Sequence, residues 1–189
     1  MKIVGLLLIL FWLDVYFCMH KNSTLSKTQA FFPSQFYAIL SVYDNSTGST
    51  YYSGRVWYDV ENQRKRMDIK IAKSLVERIW LYDENVKYEI TEDKFTWTCQ
   101  KHLLNGKLHK MFDVSTFEYQ GTAKRWGSQC DHFKVLNETD KNYFDYYQLT
   151  SSKMPFEIVT TGKPALRYNW TFFKAGVISF LTYLSFVIQ

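Results

Sequence analysis

Apolar and polar residues alternate with a period of two along most of the chain, which predicts half-buried antiparallel strands. Phe36, Ala38, Leu40 and Val42 alternate with Tyr37, Ile39, Ser41 and Tyr43, and Asp44 to Gly48 supplies a turn. Val56, Tyr58 and Val60 alternate with Arg55, Trp57 and Asp59; after Glu61-Asn-Gln63, Met67, Ile69 and Ile71 alternate with Arg66, Asp68 and Lys70. Ile71 to Trp80 also fits one face of a helix. Its β-branched and aromatic end, Val76 to Tyr82, favours a strand, and Asp83-Glu-Asn85 then turns the chain into Val86, Tyr88 and Ile90. Further strands are expected at Phe95 to Cys99, Gln129 to Leu136, Tyr143 to Thr150, Phe156 to Thr160 and Leu166 to Phe173, with a helix or irregular crossing between Leu103 and Tyr119. About ten strands joined by short turns imply a mainly β fold: a curved antiparallel sheet or half-open barrel with at most one or two short helices.

The two ends read differently from the middle. Met1-Lys2 followed by the apolar run Ile3 to Leu13 predicts a secretory signal peptide over residues 1–18, in preference to a membrane anchor, because Asp14 interrupts the run within the length a span requires. Residues 19–189 then form a single domain, as expected at this size. The apolar tail from Ala175 to Gln189 fits either a lipid-anchor signal or a buried last piece of the fold; Thr182 and Ser185 within it favour the second. Four Asn-x-Ser/Thr triplets, at Asn22, Asn45, Asn137 and Asn169, predict glycosylation in the secretory pathway. Localisation outside the cell or in the lysosomal lumen follows. If Cys18 leaves with the signal, Cys99 and Cys130 remain as an even pair, for which a disulfide is the default expectation in an oxidising compartment.

The chain of 189 residues is 47% hydrophobic and 19% aromatic, enough for a substantial core and unlike a disordered or collagenous chain. Its net charge of +5 is densest at Arg64-Lys65-Arg66, where strand alternation sends neighbouring charges to opposite faces. That pattern indicates a solvated face, or weak attraction to an anionic membrane surface, rather than a nucleic-acid partner. The chemistry of an enzyme is absent from the motifs. No Gly-x-Ser-x-Gly elbow, phosphate-binding loop, dinucleotide fingerprint or zinc spacing occurs around His20, His102, His109 or His132. Asp140, Asn142 and Asp145 begin like an EF-hand loop but lack its glycine and closing glutamate. No catalytic residue, metal or cofactor is therefore assigned.

Several stretches taken in order resemble the ependymin-related proteins, secreted glycoproteins whose fold is similar to bacterial lipoprotein carriers of the LolA type. They are Gly54-Arg-Val-Trp-Tyr-Asp59 with Arg64 to Ile69, Ile79-Trp-Leu-Tyr82 with Tyr88-Glu-Ile90 leading to Cys99, and Val114 to Val135, where Phe117, Gly121, Gly127 and Phe133 occupy strand and turn positions. Tyr143 to Thr150 and Pro155-Phe-Glu-Ile-Val159 resemble the next pair of strands. The family's closing Pro and Cys are replaced here by Phe186-Val-Ile188-Gln189. The resemblance implies a half-barrel around an apolar pocket able to hold a lipid.

Physical reasoning leads to the same expectation. A strongly curved sheet has an apolar concave face that must collapse, be covered, or take an apolar guest. The 15 Phe, 14 Tyr and 6 Trp exceed what a small core needs. The candidate lining is the set of apolar alternates Val56, Tyr58, Met67, Ile69, Ile79, Leu81, Tyr88 and Ile90, with Trp57, Trp80 and Tyr82 as alternatives because sequence does not say which face is concave. The leading function is a non-enzymatic glycoprotein binding a hydrophobic, lipid-like molecule. The alternative is an extracellular structural or adhesion protein that uses its sheet as a homodimer or matrix contact.

Overall fold

The computed structural model describes residues 29–71, 74–93, 96–137 and 142–176. They form eleven strands and, among the described residues, no helix. The strands are β1 (Gln35–Asp44), β2 (Thr50–Asp59), β3 (Arg64–Ile71), β4 (Ser74–Leu81), β5 (Val86–Asp93), β6 (Thr96–Leu103), β7 (Glu118–Arg125), β8 (Ser128–Asn137), β9 (Asn142–Leu149), β10 (Pro155–Thr160) and β11 (Leu166–Ala175). All belong to one antiparallel sheet in the order β6-β5-β4-β3-β2-β1-β11-β10-β9-β8-β7. Its two edges, β6 and β7, do not pair, so the sheet is curved and open.

Two meanders thus flank the central β1–β11 pair, and residues 104–117 carry the chain from one edge of the sheet to the other. The expected crossing is irregular rather than helical, and the ambiguous stretch near Val76 is strand β4. Turn chemistry agrees with the hairpins. Trp126 and Gly127 both have positive φ, 48° and 85°, as a two-residue turn between twisted strands requires. Slips in register between Ile39 and Leu40, and between Tyr119 and Gly121, add local bend.

The registers divide the side chains into two faces. Phe36, Ala38, Leu40 and Val42 lie opposite Tyr58, Val56, Gly54 and Tyr52 on β2, and the first three of these β2 residues lie opposite Lys65, Met67 and Ile69 on β3. On the other wing Ile158 lies opposite Tyr146, and Tyr146 opposite Phe133. This inner face carries the main hydrophobic cluster, in which Phe36, Ala38, Leu40, Val56, Phe133, Tyr146 and Ile158 are fully buried.

Two segments cover that face. Residues 29–34 run across β9, where Tyr146 Oη donates to the Phe31 carbonyl at 2.6 Å and Gln148 Oε1 accepts from Phe31 N at 3.1 Å. They deliver Phe32 into a ring cage with centroids 5.5 Å from Phe36, 5.4 Å from Phe112 and 5.7 Å from Trp170. The crossing segment is pinned over β2 and β3: Tyr58 Oη donates to the His109 carbonyl at 2.5 Å, and Leu108 N donates to Gln63 Oε1 at 2.9 Å. Leu108, Met111, Phe112, Val114 and Phe117 of this segment pack into the cluster.

The disulfide expectation is corrected. Cys99 and Cys130 are both free thiols, Cys99 exposed on edge strand β6 and Cys130 buried on β8, with eight strands of the sheet between theirs. An even cysteine count carries no information on distance. The signal-peptide expectation, Asn22, and nearly all of the apolar tail lie outside the described residues. No described helix is long and apolar enough to cross a membrane.

Candidate functional site

The eight residues expected to line a pocket separate into two groups. Val56, Tyr58, Met67 and Ile69 point to the inner face, 0–7% exposed, and are packed by other side chains. Ile79, Leu81, Tyr88 and Ile90 point to the outer face, because Ile79 is opposite Arg66 and Tyr88, while Met67 is opposite Arg78. Of the alternatives, Trp80 and Tyr82 pack against the inner cluster. Trp57 shares the outer face with Arg66, whose guanidinium lies 5.2 Å from its ring.

One open volume on the inner face is on the other wing. A pocket of about 400 Å³ lies between the second half of the crossing segment (Met111, Phe112, Asp113, Thr116, Phe117) and strands β8 and β9 (Val135, Phe144). Five of these seven residues are apolar. Phe112 and Phe117 hold their side of it by edge-on contacts, Phe112 with Tyr168 at 5.4 Å and Phe117 with Tyr146 at 6.3 Å. Asp113 marks the polar rim. The Ser115 hydroxyl and amide donate to its carboxylate and hold it below the usual range, so it is ionised at neutral pH. Sequence reading missed this lining because residues 104–117 have no period; the signal present was an apolar set, Leu108, Met111, Phe112, Val114 and Phe117, inside an irregular crossing.

Burial shapes the ionisable groups of the inner face. It pushes the Tyr52 and Tyr58 hydroxyls up to about 12 and, with Arg78 nearby, the Lys65 ammonium down to about 8. The Lys65 Nζ lies 4.6 Å from the Trp80 ring and 5.5 Å from that of Tyr58, so aromatic faces take the place of an acceptor. Trp170 Nε1, buried among Phe32, Phe112 and Phe173, has no hydrogen-bond partner among the described residues.

A second, more polar groove of about 450 Å³ opens on the outer face between Tyr43, Gly48, Trp126, Arg167 and Asn169. Beneath it the fully buried Glu157 accepts from Arg125 Nε at 2.7 Å and from Trp126 Nε1 at 3.2 Å. Two of the expected glycosylation positions border this groove: Asn169 lines it, and Asn45 accepts from Arg167 Nη2 at 2.8 Å. Asn137 is the last residue of β8. No cluster of His, Cys, Asp or Glu able to hold a metal ion exists among the described residues.

No protein-family model matches this chain, and no curated protein matches it in sequence. Its structure is similar to that of an uncharacterized conserved protein from Thermus thermophilus, with 10% identity and a TM-score of 0.51, over 80% of this chain and 84% of that one. A weaker likeness, with 14% identity and a TM-score of 0.40, is to MucB in its complex with MucA(peri); it covers 79% of this chain and 53% of that one. The likeness to the Thermus protein is one of fold alone.

Proposed function

We propose that this protein is a non-enzymatic glycoprotein of the secretory pathway that holds an apolar, lipid-like molecule between the crossing segment and strands β8–β9. The observation that carries the reading is the pocket bounded by Met111, Phe112, Phe117, Val135 and Phe144, whose volume of about 400 Å³ lies within the range of small-molecule sites. Val135 and Phe144 are only partly buried in the free protein, so a guest would remove their apolar surface from water. Burying about 200 Å² of apolar area in total would contribute roughly 5 kcal/mol, less the cost of immobilising the guest. The charged Asp113 at the rim suits a ligand whose polar end stays in solvent. The signal-like first residues, the Asn-x-Ser/Thr triplets and the resemblance to ependymin-related proteins support the compartment and the class of ligand.

The test is native mass spectrometry of protein purified from a eukaryotic secretory host without detergent, followed by organic extraction. An adduct of lipid mass that leaves on extraction is the expected result. A folded protein carrying no adduct, and taking none up from added fatty acid, would contradict the proposal.

A further inference from the structure

The two edges of the sheet are built differently. β7 is blunted in the ways that natural sheets use against edge pairing: its register slips at Gly121, whose φ is 117°, and it carries the charges Glu118, Lys124 and Arg125. β6 carries one such charge, Lys101, but no register slip and no glycine. Its eight residues, Thr-Trp-Thr-Cys-Gln-Lys-His-Leu, are all exposed and contain no proline or glycine, and its register with β5 is unbroken from Thr96 to Leu103. Leu103 is 90% exposed and Trp97 54%.

The backbone direction of this edge follows from one bond. Leu104 N donates to the Asn85 carbonyl, so residue 104 turns its peptide groups toward β5. By alternation Thr98, Gln100 and His102 do the same, whereas Trp97, Cys99, Lys101 and Leu103 turn theirs away from the sheet, where none of the described strands receives them.

We propose that β6 is the interface through which two copies of this chain pair, antiparallel and across a two-fold axis at Gln100, into one continuous sheet. The outward-turned groups sit on odd residues, so the two copies can meet only in registers that set odd residues opposite odd ones. Centring the axis on Gln100 uses all four: Trp97 faces Leu103 of the second copy and Cys99 faces Lys101, twice each, giving about eight backbone hydrogen bonds. Centring it on Cys99 pairs only three of the four within β6. The Gln100 register also sets the strand's two large exposed apolar side chains against each other and places no like charges directly opposite. An isologous contact of this kind closes on itself and leaves the blunted β7 edges outermost. The pocket beside β8 and β9 lies in the other wing of the sheet and stays open, so this inference does not depend on the proposed ligand.

The test uses the full mature chain with Cys99→Ser, carrying either Gln100→Cys or Thr98→Cys. Gln100 faces its own copy at a non-hydrogen-bonded position, where the Cα separation of about 4.5 Å allows a disulfide, whereas Thr98 faces His102. Mild oxidation is expected to link Gln100→Cys into a covalent dimer and to leave Thr98→Cys unlinked. Sedimentation of the wild-type chain should show a concentration-dependent dimer that Leu103→Lys dissociates, with circular dichroism unchanged. A wild-type protein that sediments as a monomer at all concentrations, or equal cross-linking of the two cysteine variants, would overturn the proposal.

Discussion

Gly54 lies so close to the β3 backbone that a Cβ built on it would stand 2.0 Å from the Asp68 carbonyl oxygen and 2.8 Å from Ile69 Cα. Both obstacles are main chain, so neither can swing aside as a side-chain tip could. The missing side chain is what lets β2 and β3 coil this tightly around the inner face. Gly54→Ala is expected to cost about 3 kcal/mol or more, at the upper end for overpacking, read as a fall in the urea midpoint at constant slope. A midpoint equal to wild type would show that the strands can separate at no cost.

Lys65 gives stability an unusual dependence on pH. The unfolded chain keeps this proton to about pH 10.4, whereas the folded protein releases it near 8 because of burial and Arg78. Between these values the unfolded state binds more protons, so this residue makes stability rise with pH. Tyr52 and Tyr58, raised to about 12 by burial, act in the opposite sense: above pH 10 they ionise first in the unfolded chain and stability falls. Lys65→Met should be more stable than wild type at pH 7 by on the order of 1–2 kcal/mol, with the difference shrinking toward pH 10. Denaturation curves at pH 7, 8.5 and 10 measure it, and a constant difference would remove Lys65 as the cause.

The two thiols should behave as opposites. Cys99 is exposed, whereas burial, reinforced by the Glu157 carboxylate, raises the Cys130 thiol and keeps it unreactive. Alkylation of the native protein followed by peptide mapping should modify Cys99 readily and Cys130 only after unfolding. Recovery of a peptide linking Cys99 to Cys130 from monomeric protein would contradict the fold on this point.

Glu157 has no exposed surface, and its oxygens are held by Arg125 and the Trp126 indole. Glu157→Gln leaves Arg125 without its counter-charge beside a buried neutral amide. The expected loss is on the order of 3 kcal/mol, together with a change in Trp126 fluorescence as its indole bond weakens. An unchanged melting temperature would show that the Arg125–Glu157 pair is dispensable to the β7–β8 hairpin.

Strand positions were legible because the period of two is a local property, and β1, β2 and β3 fall where alternation places them. The phase of that alternation was not. In β3 the inner residues are Met67 and Ile69, but in β4 and β5 the obvious apolar alternates, Ile79, Leu81, Tyr88 and Ile90, point outward, and Val76, Arg78 and Trp80 point in. Arg66 and Asp68 are buried on the outer face by their mutual bond at 2.7 Å and the further bond from Arg66 to Glu77. Charge alone therefore does not mark the solvent side. The pocket was less legible still, because half of its wall comes from an aperiodic crossing whose place over β8 and β9 depends on contacts distant in sequence, among them Tyr58 with His109 and Phe112 with Tyr168.

The central claim is that an apolar guest sits against Val135 and Phe144, and filling that space tests it most directly. Delipidated wild-type protein should bind a fluorescent fatty acid saturably, with one site and blue-shifted emission. Val135→Trp, which occupies the pocket while leaving the Phe32 cage intact, should weaken this binding at least tenfold without lowering the melting temperature. Equal binding by Val135→Trp and wild type, or no saturable binding by a folded wild-type protein, would contradict the account.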